Sequence, residues 1–164
     1  MKKNKSKIFL FTDGSVNPPS GIGVGAYLFV EELELTSLEL EKKIKTKKFY
    51  DTSSTRLELE TLLWALSQEG LKQLKIVVFT DCQNIITLEG RREGLEKKDY
   101  HNAKGKKMKN HLLYKSFFGR MDSLDCEFVK LKGHKKESKK SEIDKIFTLV
   151  DKASREALRK TYYL

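Results

Sequence analysis

The chain opens with a continuous apolar run, Lys7 to Thr12 (KIFLFT), the pattern of a strand buried on both faces, and Asp13, Gly14 and Ser15 end it. A loop containing Gly and Pro (VNPPSGIG) leads into two more strands, Val24 to Glu32 and Glu39 to Asp51, joined by a polar connection. Thr52, Ser53, Ser54 and Thr55 then offer N-caps to a helix. Its Leu59, Leu62, Leu63 and Leu66 recur at i, i+3, i+4 and i+7, and Gly70 marks its end. Ile76 to Thr80 (IVVFT) repeats the buried-strand pattern and again stops at an acid, Asp81. A short helix is predicted from Asp81 to Leu88, followed over 91–109 by an irregular lysine-rich segment too polar for a core. A helix from Leu112 to Met121, a strand from Cys126 to Leu131, a polar loop (KGHKKESKK) and a last helix from Ser141 to Lys160 complete the pattern.

This order predicts an α/β fold: a mixed five-stranded sheet (strand–strand–strand–helix–strand–helix–helix–strand–helix) with helices on both faces. The first and fourth strands, both fully apolar, are expected to be parallel neighbours at its centre. At 164 residues the chain fits one domain, 1–164, with residues 1–6 expected to be flexible. No apolar run approaches the roughly 20 residues of a membrane span. Nine Phe and six Tyr argue against disorder. The basic start (MKKNKSKIFLF) lacks the long apolar stretch of a signal peptide, and Cys82 and Cys126 form neither a disulfide framework nor a zinc spacing, so a reducing cytoplasm is the expected compartment. Charge adds more: 33 Lys+Arg against 23 Asp+Glu leave a net +10, which suggests a polyanionic partner such as nucleic acid or, alternatively, a solubilising surface.

The two central strands end alike, FLFTDGS and VVFTDCQ. As parallel neighbours they would bring Asp13 and Asp81 out at one carboxyl edge, about 4.8 Å apart, where open α/β sheets place their sites. Carboxylates that close repel, so one holds a proton or a cation sits between them, and hard divalent ions prefer such oxygens. The alternative is that each Asp caps the turn after its strand. Glu58 and Glu60 are candidates for a third acid, Glu58 lying in the first turn of its helix, within reach of the sheet edge. Asp144 and Asp151 lie seven apart on the last helix and share a face, offset by only about 20°, so either can supply a fourth ligand, or both are solvated or paired with Lys140, Lys145 or Arg155.

Taken in order, TDGS, the TxRxEL pattern at Arg56 and Glu58, FTDCQ, KGH and an acid-bearing last helix resemble the type 1 ribonuclease H family of the ribonuclease-H-like superfamily, over nearly the full chain. The resemblance implies that Asp13, Glu58 and Asp81 bind metal and that His134 is the mobile histidine assisting proton transfer or product release. For the fourth acid, family spacing from that histidine selects Asp144, whereas Val150-Asp151-Lys152-Ala153-Ser154-Arg155 better matches the family's local pattern, and Asp151 is preferred.

The implied activity is endonucleolytic hydrolysis of the RNA strand of an RNA–DNA hybrid, leaving 3′-hydroxyl and 5′-phosphate ends, by two Mg²⁺ ions about 3.5–4 Å apart, with Mn²⁺ as an alternative. No covalent nucleophile is needed, so Cys82 reads as a packing residue. Residues 91–109 carry eight Lys/Arg and three acids and match the position of the family's basic handle; Lys104, Lys106, Lys107 and Lys109 are its candidate phosphate contacts. Backbone amides after Asp13 (Gly14, Ser15) and the side chains of Asn17, Gln83 and Asn84 are candidates for reading 2′-hydroxyls. The expected state is a monomer with no membrane contact.

Overall fold

The computed structural model describes residues 4–34, 37–132 and 141–162. Its strands are β1 (Ser6–Asn17), β2 (Ile22–Val30), β3 (Lys45–Phe49), β4 (Leu74–Thr80) and β5 (Asp125–Lys130), and its helices α1 (Ser37–Lys43), α2 (Ser54–Leu66), α3 (Gln83–Leu88), α4 (Arg92–Lys97), α5 (His111–Ser123) and α6 (Glu142–Tyr162). The strands form a mixed sheet with β1 and β4 as neighbours, as the sequence pattern predicts, and its full order is β3-β2-β1-β4-β5. β2 runs antiparallel to β1 and β3, while β4 runs parallel to β1 and β5.

Successive side chains of a strand face opposite sides, so β1 feeds two cores. On one side Leu10, Tyr27, Ile76 and Val78 pack with Leu59, Leu62 and Leu66 of α2 and with Tyr114, Phe117 and Phe118 of α5. On the other, Phe11, Ala26, Leu28, Val77 and Phe79 pack with Leu40 of α1 and with Ile146 and Val150 of α6. Helices therefore cover both faces. Each fully buried Leu or Phe contributes about 1.5–3 kcal/mol through removal from water.

Three stretches differ from the sequence pattern. The span Glu39 to Asp51 is not one strand: residues 37–43 form α1, and only Lys45–Phe49 pairs with β2. Leu38 and Leu40 alternate with Glu as in a strand, but Leu, Glu and Lys are good helix formers, and Glu39 in the first turn with Lys42 and Lys43 in the last complement the helix dipole. Leu40 is buried while Leu38 is 76% exposed, a split that two residues sharing one strand face would not show. Secondly, β1 does not end at Thr12. It runs on to Asn17 because Gly14, Ser15 and Val16 pair with Gly25, Val24 and Gly23, so Asp13 lies within a strand, opposite Ala26. Thirdly, the 91–109 segment is neither irregular throughout nor excluded from the core. It contains α4, and Tyr100 is buried against Leu95 and Met108. Left-handed backbone at Asp99 and Tyr100 turns the chain inward. The Asn102 side chain then closes the return by accepting from the backbone N–H groups of Lys104 and Lys106 at 3.0 Å.

Bare backbone sets the approach of α2 to the sheet. A Cβ on Gly14 or on Gly23 would lie 2.8 Å from Leu57 Cδ2, and one on Gly25 would lie 2.1 Å from Thr61 Oγ1. Gly25→Ala should therefore cost about 1–3 kcal/mol through overpacking. Gly119→Ala, on an exposed turn of α5 with nothing within 4 Å of its added methyl, should stabilise by about 0.5–1 kcal/mol. Urea midpoints of the two variants, moving in opposite directions, check both.

Candidate active site

β1 and β4 emerge side by side because Phe11 pairs with Phe79 in the parallel register, their rings stacked with centroids 4.8 Å apart. Two residues further on stand Asp13, within β1, and Asp81, just past the end of β4. Glu58 arrives from α2, whose first turn is capped by Ser53: its hydroxyl accepts from the Arg56 N–H at 3.3 Å. Leu57 beneath it fills the space over Gly14 and Gly23, which aims Glu58 at the strand; Glu58 Oε1 lies 3.7 Å from where a Gly14 Cβ would stand. One carboxylate oxygen each from Asp13, Glu58 and Asp81 lie within 4.8 Å of one another.

The cluster is electrostatically strained. Asp13 is 5% exposed. Burial first, then the charges of Glu58 and Asp81, push its carboxyl up to about 9, against a partial offset from a hydrogen bond with the Gly14 backbone. Burial and Asp81 likewise push Glu58 up to about 8. Glu58 Oε2 is buried with no hydrogen-bond partner. An all-oxygen donor set that must either hold protons or surround a cation, with an orphaned buried carboxylate oxygen, fits a hard divalent ion.

The two acids of the last helix are sorted by the fold. Asp151 stands near enough to Asp13 to add to the upward push on its carboxyl, and its Oδ2 lies 2.8 Å from Arg155 Nη2. The approach of α6 here rests on small residues: Ser154 is fully buried, its hydroxyl 3.0 Å from that of Ser15 on β1. Asp144 instead caps its own helix. Its Oδ2 accepts from the Ser141 backbone N–H at 3.1 Å and from the Ser141 hydroxyl at 3.0 Å, while its N–H donates to Ser141 Oγ at 3.3 Å. Glu60 accepts from Thr52 Oγ1 at 2.6 Å and sits 3.4 Å from Arg56 Nε, so it braces the start of α2.

The remaining candidates lie around this edge. Gly14 and Ser15 follow Asp13 in the strand. Asn17 holds the β1–β2 turn, accepting from the Ser20 N–H at 3.1 Å. Gln83 accepts from Lys130, and Asn84 accepts from Arg91. Asn84 Nδ2 is buried, so that amide faces the protein. Lys104, Lys106 and Lys109 are exposed on the loop after α4, and Lys107 pairs with Asp99 at 3.3 Å. Cys82 packs against the α2-side core. His134 lies outside the described residues. Sequence reasoning counted Arg91 among the basic residues of 91–109 but missed its bond to Asn84, which a continuous helix over 84–91 would have paired at seven-residue spacing. It also missed the Arg56–Asn110 bond (3.3 Å) joining α2 to the start of α5, for which no local signal exists.

A mixed sheet that delivers carboxylates from separate elements to one edge is the layout of an α/β enzyme with an acidic active site. The RNase H family model matches residues 5–154. A ribonuclease H of Novosphingobium aromaticivorans is 31% identical over 143 residues, covering 84% of this chain and 91% of that protein. The chain belongs to the RNase H family and is an enzyme of that kind. Solved structures agree on the fold. The solution structure of the PFV RNase H domain matches with a TM-score of 0.70 at 16% identity, over 93% of this chain and 94% of that one. A foamy viral protease-reverse transcriptase in complex with an RNA/DNA hybrid matches with a TM-score of 0.69 at 13% identity, over 98% of this chain and 20% of that one. No described helix is long and apolar enough to cross a membrane.

Both strained carboxyls titrate above the ordinary 3.8 and 4.5, so folding favours their protonated forms. Their stabilising contribution is full below about pH 4 and is lost as pH rises towards 8–9. In EDTA, Asp13→Asn should therefore melt about 4–8 °C above the unaltered protein at pH 9, the shift that about 2 kcal/mol produces in a chain of this size, with no advantage at pH 4. Millimolar Mg²⁺ should raise the melting temperature of the unaltered protein and leave that of the variant nearly unchanged; thermal melts at the two pH values check all three.

Proposed function

We propose that this chain hydrolyses the RNA strand of RNA–DNA hybrids internally, leaving 3′-hydroxyl and 5′-phosphate ends. The observation that carries the reading is the convergence of Asp13, Glu58 and Asp81 within 4.8 Å, with Asp151 beside Asp13. These four acids would hold two divalent ions, Mg²⁺ or Mn²⁺. Bound there, the ions would supply an activated water and a Lewis acid for in-line attack on a backbone phosphate. All four acids come from one chain, which supports action as a monomer, and two unpaired thiols suit a reducing cytoplasm.

The protein's own groups divide the remaining work. Asp13 and Glu58, whose protonated forms burial favours, would release protons when positive charge enters the cluster. Arg155 fixes the Asp151 carboxylate from the solvent side. The Gly14 and Ser15 backbone and the side chains of Asn17 and Gln83 would contact the ribose, while Asn84 accepts from Arg91. His134 would assist proton transfer or product release. Lys104, Lys106, Lys107 and Lys109 would contact phosphates, giving affinity without sequence preference. The foamy viral neighbour solved with an RNA/DNA hybrid supports a hybrid as the ligand class.

Labelled hybrid, single-stranded RNA, double-stranded RNA and double-stranded DNA, offered in parallel, test this. The expected result is internal cutting of the hybrid's RNA alone, abolished by EDTA and reduced about 10³-fold or more by Asp13→Asn. Cutting from ends would point to an exonuclease of the same superfamily, and binding without cutting to a non-catalytic nucleic-acid-binding domain. The acids of α6 separate by a second measurement. Asp151→Asn should lower kcat at least about 10–100-fold, whereas Asp144→Asn should leave kcat intact and cost about 0.5–2 kcal/mol of stability through the lost cap.

A further inference from the structure

The sheet's outer strand carries a second set of cations that the proposed reaction does not use. β3 is Lys-Thr-Lys-Lys-Phe, and Lys45, Lys47 and Lys48 are all exposed. Among the described residues none of the three has an ion-pair partner, while Arg92, Lys97, Lys107, Lys152 and Arg155 are each paired with a carboxylate. Register places them level with the site. Lys47 pairs with Gly25, which pairs with Gly14, and Lys48 pairs with Val24, which pairs with Ser15. Two strand spacings, about 10 Å, therefore separate these lysines from the residues that follow Asp13.

Lys47 is oriented rather than free, its Nζ 5.2 Å from the Phe49 ring centroid and 5.7 Å from that of Trp64. On the other face Lys48 shares a shallow cleft of about 480 Å³ with Lys160 of α6, floored by Thr46, Ala153 and Ala157. Lysines on an edge strand also guard against edge-to-edge pairing. That role needs charge along the strand only. It does not account for the lysine that α6 brings to the same cleft as Lys48.

We propose that the β3 edge, with Lys160, is a second phosphate-contact surface. It takes the sugar–phosphate backbone of the bound duplex on the flank opposite the 91–109 segment. That segment lies on the α5 side, and α5 packs on β5 at the far end of the sheet through Phe117 and Phe128. The proposal rests on the reading of a nucleic-acid duplex as the ligand.

The test measures binding of the full chain, in EDTA, to a labelled 20-base-pair RNA–DNA hybrid and to duplex DNA of equal length, across a salt series. The Lys45/Lys47/Lys48→Gln variant should reduce the slope of log K against log salt by about 2–3 on both duplexes. The matching Lys→Arg variant should keep the slope of the unaltered protein. A charge-matched control, Lys7/Lys72/Lys75→Gln at the opposite end of the strands, should also keep it. Saturating hybrid should give an unchanged kcat in the β3 variant. An unchanged slope in the β3 variant, or an equal loss in the control, overturns the proposal and leaves these lysines as edge protection or general charge. Binding to neither duplex overturns it as well. Tight hybrid binding in EDTA with no cleavage after Mg²⁺ replaces EDTA sinks the ribonuclease reading alone, because the slopes still report on the edge.

Discussion

The resting of α2 on bare backbone is the constraint from which the active site follows. Where β1 and β2 run side by side, Gly14, Gly23 and Gly25 leave no Cβ in the volume that Leu57 and Thr61 occupy. Thr61 satisfies its own hydroxyl within the helix, donating to the Leu57 carbonyl at 2.7 Å, so it enters this dry contact without an unmet donor. A side chain at any of the three positions would lift the helix. Glu58, one residue beyond Leu57, would then leave the strand that carries Asp13, and no other acid on α2 is free to replace it, because Glu60 is committed to Thr52 and Arg56.

Confinement of like charge is the second consequence. The cores on either side of β1 hold Asp13 and Glu58 in place against their mutual repulsion, and the stacked Phe11 and Phe79 rings keep the ends of β1 and β4 in register beneath them. Water relieves little of this strain, since Asp13 is almost fully buried and Glu58 Oε2 is enclosed. The raised protonation of both groups expresses the same energy that would favour a divalent cation, which removes the repulsion and supplies the missing partner. Rigid placement of the acids thus costs stability and would supply affinity for a cation from the same source.

The helix α6 shows how one residue type takes two roles within two turns. Asp144 satisfies the open N–H groups at the helix start through its exchange with Ser141, while Asp151 meets Asp13 because Ser154 lets the helix come down onto β1. Arg155, one turn on, neutralises the outer oxygen of Asp151 and leaves its other side to the cluster. The division follows from depth along the helix axis: seven residues span about 10 Å, enough to move an acid from the helix cap to the sheet edge.

Much of this was legible in residue order. Continuous apolar runs ending at Asp13 and Asp81, leucines at helical spacing behind a Ser/Thr cluster, and an acid near the start of that helix (Glu58, one turn further in than expected) point to the sheet's central pair, its helix and three acids, because each signal is local and its period is set by backbone geometry. Local patterning failed where two periods coincide, as in Ser37–Lys43, where alternating Leu and Glu suit a strand but the burial of Leu40 alone selects a helix. It failed again at Tyr100, whose burial depends on left-handed backbone and an Asn side chain holding a return loop. The choice between Asp144 and Asp151, the turning inward of Asn84 onto Arg91, and the levelling of Lys47 and Lys48 with Gly14 and Ser15 belong to tertiary structure alone. Each depends on residues distant in sequence meeting across packed elements, and the free energy of such meetings is written in distances that no single stretch of chain contains.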